Sequence, residues 1–450
     1  MKERQWRTAV FLLVGLAFAL LGQFYFVYRR DPYYRDGIVF YTVALVMFGI
    51  TWWQVRQPRS RLAPIPQGAW VDRLSLRRMA AVGGALLSLL VGLAARRRPM
   101  GSDFIGILIL WLIGVTWFLL AFAPTLPKDW RRRLVCWLRR NRGELLRLVA
   151  LLVAALLVRT VALGEAPRNF GGDEGTQALA ALHLVEQPLD NPFATGWYSV
   201  PTMSFLLSGV AMRLFGATVA GARALSALAG TAAVLATYLL ARDLWGRRVA
   251  WLAAFLLAFG HYHLHFSRLA SNQIGDPFFI TLALWLLVRA LRSGERWFFV
   301  LAGAVTGAAW YGYFGGRLTV IVMGIYFLVQ VVSQRDVFKL HWQKLALMAL
   351  TAAVVALPLM LHYLAYPETM TSRFNQVSIF ASGWLVREQE ITGRSAFSLL
   401  LEQFWKSASA FHFTVDPTFW YRPDIPLLDF VSGVLMLFGM AVAVFGRRPF

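Results

Sequence analysis

The chain has 450 residues, 58% of them hydrophobic and 15% charged, with a mean hydropathy of +0.55. Repeated apolar runs match the ~20 residues needed to span a bilayer, which excludes a soluble globular protein. The net charge of +22 invites a nucleic-acid partner, but the arginines are bunched between apolar runs. The positive-inside rule leaves that pattern, so no nucleic acid is expected, whereas anionic lipid head groups fit it well. One cysteine, Cys136, excludes an internal disulfide and a cysteine metal site.

Four crossings come first, at about 9–28, 38–55, 79–95 and 104–123. Met1 to Arg7 and the following run to about Tyr28 lack a small-residue cleavage site and read as a retained anchor. Loops 56–78 and 124–147 are rich in arginine and are expected to be cytoplasmic, although Arg96-Arg97-Arg98 then falls outside. These four spans carry no polar constellation. Residues 1–144 read as an accessory module, and 145–450 as a catalytic one with outer loops at 164–199 and 365–426.

A fifth span at about 145–163 delivers Asn169-Phe170-Gly171-Gly172-Asp173-Glu174-Gly175 to the outer face. Carboxylates beside a membrane span need a task, a partner or water. Two readings stand for Asp173: a general base, or the cap of an amphipathic surface helix over 174–187. The segment 200–215 opens at Pro201 and is short for a crossing, so it is expected to be re-entrant or surface-lying. That choice keeps Arg242, Arg247, Arg248, Arg289, Arg292 and Arg296 inside. Spans then follow at about 219–241, 249–266, 276–291, 297–313, 318–333, 343–364 and 427–445, making an all-α polytopic protein of about 12 transmembrane helices.

This topology gathers further polar groups on the outer face: the turn Ser267 to Asp276, the run Tyr311 to Arg317, and Arg373 in loop 365–426. Arginine forks bind phosphate oxygens and a carboxylate deprotonates a hydroxyl, which suits a lipid-linked phosphate substrate. Trp197-Tyr198 is placed to stack on a sugar ring. His261, His263 and His265 alternate at the outer end of a span; His261 and His265, at i and i+4, can share an ion from one helix face, and interfacial polar residues are the other reading of the cluster. The glycines at 312–316 bring backbone close either to a ligand or to a neighbouring helix.

With Asp173-Glu174 after one span, the Pro-led segment ending Leu214-Phe215-Gly216, the run Ala222 to Leu228, the run Leu239 to Arg248 and the turn Ser267 to Asp276, residues 145–445 resemble the GT-C superfamily of membrane glycosyltransferases. They look most like the bacterial protein O-mannosyltransferase and aminoarabinose-transferase branch. The resemblance implies an inverting enzyme of the plasma membrane with its active site on the outer face. It implies a polyprenyl-phosphate sugar donor and a lipid, glycan or protein acceptor carrying a hydroxyl or phosphate. Asp173 is then the base and Glu174 its neighbour, while Arg268, Arg317 and Arg373 take the donor phosphate. Asp276, Asn272, Tyr198 and His265 are further site candidates, and a divalent ion on Asp173, Glu174 and Asp276 is left open. The competing function is a transporter or flippase of lipid-linked sugars, or a non-catalytic relative. A transporter places ionisable groups mid-span and shows internal repeats, whereas these acids gather at one face.

Overall fold

A computed structural model describes residues 68–411, apart from 100, 126, 187, 334 and 335, with scattered positions in 10–47 and 415–439. Most of the expected spans 9–28, 38–55 and 427–445 lies outside the described residues. Those described are helical, with one isolated bridge between Thr195 and Pro201 and no extended sheet. Six helical stretches are long and apolar enough to cross a membrane: Leu76–Arg97, Ile105–Phe122, Val219–Trp245, Asn272–Ser293, Phe314–Val332 and His341–Ala365. The chain is an all-α polytopic integral membrane protein.

Three further expected spans do not reach those limits. The stretch at 145–163 is a 19-residue helix, Arg142–Thr160, carrying Arg142, Glu144, Arg147 and Arg159. The stretch at 249–266 is split at Gly260 into Arg247–Phe259 and His261–Phe266. The one at 297–313 is the 14-residue helix Arg296–Ala309, about 21 Å long at 1.5 Å per residue and shorter than the hydrocarbon core. The segment at 200–215 is likewise a 14-residue helix, Thr202–Phe215.

The chain divides into two compact units, 1–122 with 186–191, and 123–185 with 192–450. The module junction expected at 144/145 falls inside the second of these. In the first unit, α1 (Gly68–Arg97) and α2 (Ile105–Phe122) form a hairpin. They approach so closely that a Cβ on Gly84 would lie 2.5 Å from the Gly114 carbonyl oxygen.

The second unit runs through α3 (Trp130–Arg140), α4 (Arg142–Thr160), α5 (Gly172–Val185), α6 (Thr202–Phe215) and α7 (Val219–Trp245). It continues with α8 (Arg247–Phe259), α9 (His261–Phe266), α10 (Gly275–Ser293), α11 (Arg296–Ala309), α12 (Leu318–Ser333) and α13 (Asp336–Ala365). Three shorter helices follow, α14 (Pro367–Val377), α15 (Trp384–Thr392) and α16 (Ala396–Ser409).

The hub is α7, which packs on α4, α6, α8 and α10. The buried centre of its contact with α4 and α8 is mostly alanine: Ala155, Ala241, Ala250, Ala254 and Ala258 are buried with Val234 and Tyr238, and larger residues such as Leu148, Leu151 and Trp251 pack around them. Small residues let helix backbones approach in the absence of a hydrophobic drive between helices. At one end of this bundle the buried Glu144 accepts a hydrogen bond from Tyr238 (2.6 Å) and pairs with Arg242 and Arg247, each at 3.0 Å. One carboxylate thus joins α4, α7 and the start of α8.

Helix α11 carries Gly303 and Gly307, one turn apart, against α13. A Cβ on Gly307 would lie 2.6 Å from the Ala352 carbonyl oxygen and 2.8 Å from the Val355 Cβ. Gly324 in α12 has nothing within 4 Å of that position. Gly307→Ala is therefore expected to lower the thermal midpoint of the purified protein, and Gly324→Ala to leave it unchanged or raise it, since alanine is the better helix former. Equal midpoints for the two variants, read by size-exclusion after heating, would show that this close approach does not matter.

Candidate active site

Helix α5 begins at Gly172, two residues before the start expected from the sequence, and the Gly171 carbonyl accepts from Gly175 N–H at 3.0 Å. Asp173 therefore sits inside the first turn and is not the capping residue. The back-bond falls to Glu174, whose Oε2 accepts from Gly171 N–H at 3.4 Å, as the glutamate of a capping box does. Among the described residues the Asp173 carboxylate has no hydrogen bond or ion pair, and it lines a cavity.

Glu174 is 2% exposed and Arg223 of α7 is fully buried. Arg223 Nε donates to Glu174 Oε1 at 3.0 Å and its Nη2 to Oε2 at 3.1 Å, a bidentate pair. The remaining N–H groups of Arg223 go to the carbonyls of Leu163, Pro167 and Asn169, at 3.0, 2.9 and 3.2 Å. All five guanidinium donors are thereby satisfied. Glu174 Oε1 also accepts from Ala270 N–H at 2.7 Å. This one pair ties the loop after α4, the start of α5, the helix α7 and the turn 267–275 together.

The turn is fixed elsewhere as well. Ser226 donates to the Ser271 carbonyl at 3.2 Å, Asn272 N–H donates to Gln177 at 3.3 Å, and the Asn272 amide donates to Ser204 of α6 at 3.0 Å. A second projection comes from residues 194–202, where Gly196 N–H donates to the Val200 carbonyl at 2.8 Å. Tyr198 and Ser199 adopt φ of 49° and 60°, a left-handed conformation rare for residues with a side chain. Such strain persists only where surrounding contacts hold it, and it concentrates at functional sites.

Between these pieces lies a cavity of about 510 Å³, within the range of small-ligand sites. Asp173, Gln177, Trp197, Tyr198, His263 and Arg373 are among its lining residues. Arg373 of α14 lies over the Tyr198 ring, 5.4 Å from its centroid, and holds Gln376 at 3.3 Å. Trp197 meets Tyr198 edge-on at 4.7 Å. His263 is positioned from behind: the fully buried Arg159 donates Nη2–H to its Nδ1 at 3.1 Å. A guanidinium only donates, so Nδ1 accepts and the proton of the neutral ring is on Nε2, which is buried without a partner.

The structure thus brings together Asp173, Glu174, Trp197, Tyr198 and Arg373 of the residues singled out in the sequence. The others stand apart from the cavity lining. Arg268 spends its guanidinium on the carbonyls of Val158, Val161, Ala162 and Ala166, closing the C-terminal end of α4. Burial lowers its pKa, as does the nearby Arg223. Arg317 donates to the Met370 carbonyl at 2.6 Å and to Tyr363 at 2.9 Å, among the rings of Trp310, Phe314 and Tyr363. Asp276 is buried against the amides of Tyr313, Gly315 and Gly316 behind the cavity wall. His265 stacks on Tyr421 at 4.0 Å, and His261 shares the Tyr421 hydroxyl at 3.0 Å. Among the described residues no three His, Cys, Asp or Glu side chains are grouped to hold a metal ion, and Asp173, Glu174 and Asp276 do not converge.

Arg223, Arg159 and Gln177 belong to the site without having been singled out for it, and His263 enters it from the histidine cluster. Arg223 had a signal, the one ionisable group in the alanine-rich first half of α7, where a partner is needed. Cutting its tie to Glu174 is expected to be costly: Glu174→Gln leaves a buried guanidinium uncompensated, at about 3–5 kcal/mol. Asp173→Asn, at an unpaired side chain, should leave the thermal midpoint where it is. A Glu174→Gln protein as heat-resistant as the parent would remove the pair from its structural role.

Residues 199–362 match the family model of the dolichyl-phosphate-mannose-protein mannosyltransferases. The matched segment runs from the Tyr198–Val200 turn through α13 and contains Arg223, His263 and the turn 267–275. No curated protein matches. Among solved structures, the chain is similar to the Archaeoglobus fulgidus oligosaccharyltransferase, crystallised with an acceptor peptide containing the NVT sequon tethered by a disulfide bond. The TM-score is 0.41 and the identity 17%, over 69% of this chain and 44% of that one. The chain thus spans less than half the length of that protein. The family match covers a little over a third of the chain, and what it establishes is the similarity of that segment to the mannosyltransferase family.

Proposed function

We propose that the chain is an inverting glycosyltransferase that moves a sugar from a polyprenyl-phosphate donor to a hydroxyl or phosphate acceptor, with Asp173 as general base. The carrying observation is the contrast between two adjacent carboxylates at one cavity. Glu174 has both oxygens committed to Arg223 and backbone amides, while Asp173 has no partner among the described residues. A lipid-phosphate sugar is also what the matched family's description names as donor.

In this mechanism the acceptor hydroxyl lies within hydrogen-bond reach of Asp173 and attacks the anomeric carbon from the side opposite the phosphate. Asp173 takes the proton as the new C–O bond forms, and the polyprenyl phosphate leaves with the electrons of the broken bond. Configuration at the anomeric carbon inverts. Arg373, the one arginine lining the cavity, meets the charge of the departing phosphate, and the rings of Trp197 and Tyr198 offer faces to the sugar. The acceptor is a lipid, a glycan or a protein.

General-base assistance is worth ~10²–10⁴-fold in rate. Asp173→Asn keeps size and hydrogen bonding but removes basicity. Its release of free polyprenyl phosphate, from a panel of polyprenyl-phosphate sugars, is expected to fall by about that factor with donor binding retained. An Asn variant with full turnover would sink the base assignment.

The same reading puts the cavity on the outer face of the plasma membrane, with the α10–α11 connection inside. In a Cys136→Ser background, cysteine at Ser382 should react with an impermeant thiol reagent added to intact cells, and cysteine at Ser293 should not. Outside labelling of Ser293→Cys would reverse the orientation.

A further inference from the structure

The helix α3, Trp-Arg-Arg-Arg-Leu-Val-Cys-Trp-Leu-Arg-Arg, has no buried residue anywhere along it. At 100° per residue, Trp130, Leu134, Trp137 and Leu138 fall on one face, about 40–50% exposed in each case. Arg132, Arg133, Arg139 and Arg140 fall on the other. The helix carries five arginines and no acid. Among the described residues only Arg133 is paired, with Asp129 just before the helix at 2.8 Å, and Arg131 lies over the Trp130 ring at 5.5 Å. One residue, Asn141, separates α3 from α4, whose Arg147 lies 5.9 Å from the Trp251 ring of α8 and whose Ala155 is buried against α7.

An apolar face this size, left uncovered by the described residues and framed by guanidinium groups that are mostly unpaired among them, fits one surface. We propose that α3 lies in the plane of the bilayer surface, with its tryptophans and leucines among the upper acyl chains and its arginines on anionic phospholipid head groups. The physics is that of an interfacial helix: apolar area sets the depth and positive charge selects anionic lipid. Arginine suits this task because its planar fork binds phosphate oxygens in pairs. Joined to α4 through a single residue, such an anchor fixes the height at which α4 begins, and hence the level at which Glu144 meets α7. The proposal is independent of any catalytic role for Asp173.

The test uses the full-length protein in vesicles, with a nitroxide at one of two positions. One is the native Cys136, on the polar flank; the other is Leu134→Cys in a Cys136→Ser background. Relative accessibility to oxygen and to a water-soluble nickel chelate gives the depth of each probe. In phosphatidylcholine mixed with phosphatidylglycerol, the probe at 134 should favour oxygen while that at 136 stays open to the chelate. In phosphatidylcholine alone, the probe at 134 should lie shallower. Replacing Arg131, Arg132, Arg139 and Arg140 by glutamine should erase the difference between the two lipid mixtures. A probe at 134 open to the chelate in both mixtures would assign the face to another partner and overturn the proposal. Equal depth in both mixtures for the parent protein would overturn its charge selectivity.

Discussion

The buried pair between Glu174 and Arg223 is the constraint on which the site depends. Removing two charges from water is expensive, and their attraction roughly repays that cost only when every donor and lone pair finds a partner. Here the guanidinium satisfies five contacts and the carboxylate collects two backbone amides besides. The pair therefore contributes little net stability over an apolar substitute of equal volume, but it specifies one arrangement. Leu163, Pro167, Asn169, Gly171 and Ala270 can satisfy their polar groups only with the loop, α5, α7 and the turn in their present places. The cavity lies beside this junction, lined by α5, the turn, α9 and the 194–202 projection.

Arginine acts the same way at two neighbouring points, with carbonyls in place of a carboxylate. Arg268 gathers the oxygens that α4 cannot satisfy within itself. Arg159 does so for Ala155 and Ala258 and then spends a further N–H on His263. Neither has a carboxylate partner among the described residues, and Arg159 holds positive charge behind His263 in the wall of a cavity that also presents Arg373. The positive charge is held by groups locked onto the protein, which a ligand feels as a fixed field and not as a set of mobile hands.

Periodicity and hydropathy revealed the helical membrane architecture directly, because a run of ~20 apolar residues matches the thickness of the hydrocarbon core and exceeds what a soluble helix can bury. The six described spans fall where the sequence put them, and the breaks at Gly260 and after Ala309 were not visible as composition. Asp173-Glu174 stood out because acids are scarce and glycines flank them. What the sequence could not reveal is which of the two would be consumed by structure, since that depends on Arg223, 49 residues away along the chain. The three arginines expected at phosphate illustrate the same limit. Arg268, Arg317 and Arg373 are alike in sequence, yet local carbonyls and rings claim the first two and only the third lines the cavity. His265 drew notice for its i, i+4 partner, while the useful ring is His263, turned to the cavity because residues two apart on a helix face different ways.

The same helical geometry decides how the acidic pair can work. Successive residues on an α-helix point about 100° apart, so Asp173 and Glu174 cannot face one another as a close carboxylate dyad. They lie in the first turn of α5, where one direction leads into the packed junction of α7 and the turn, and the other into open space. The longer side chain reaches the buried guanidinium and the shorter one is left at the cavity. A shared proton or a shared metal ion would need both groups to turn the same way, which the Arg223 fork prevents by holding both Glu174 oxygens. The arrangement therefore divides the labour. Glu174 sets the position of the first turn, and Asp173 is carried on that turn at the cavity, its placement inherited from its neighbour.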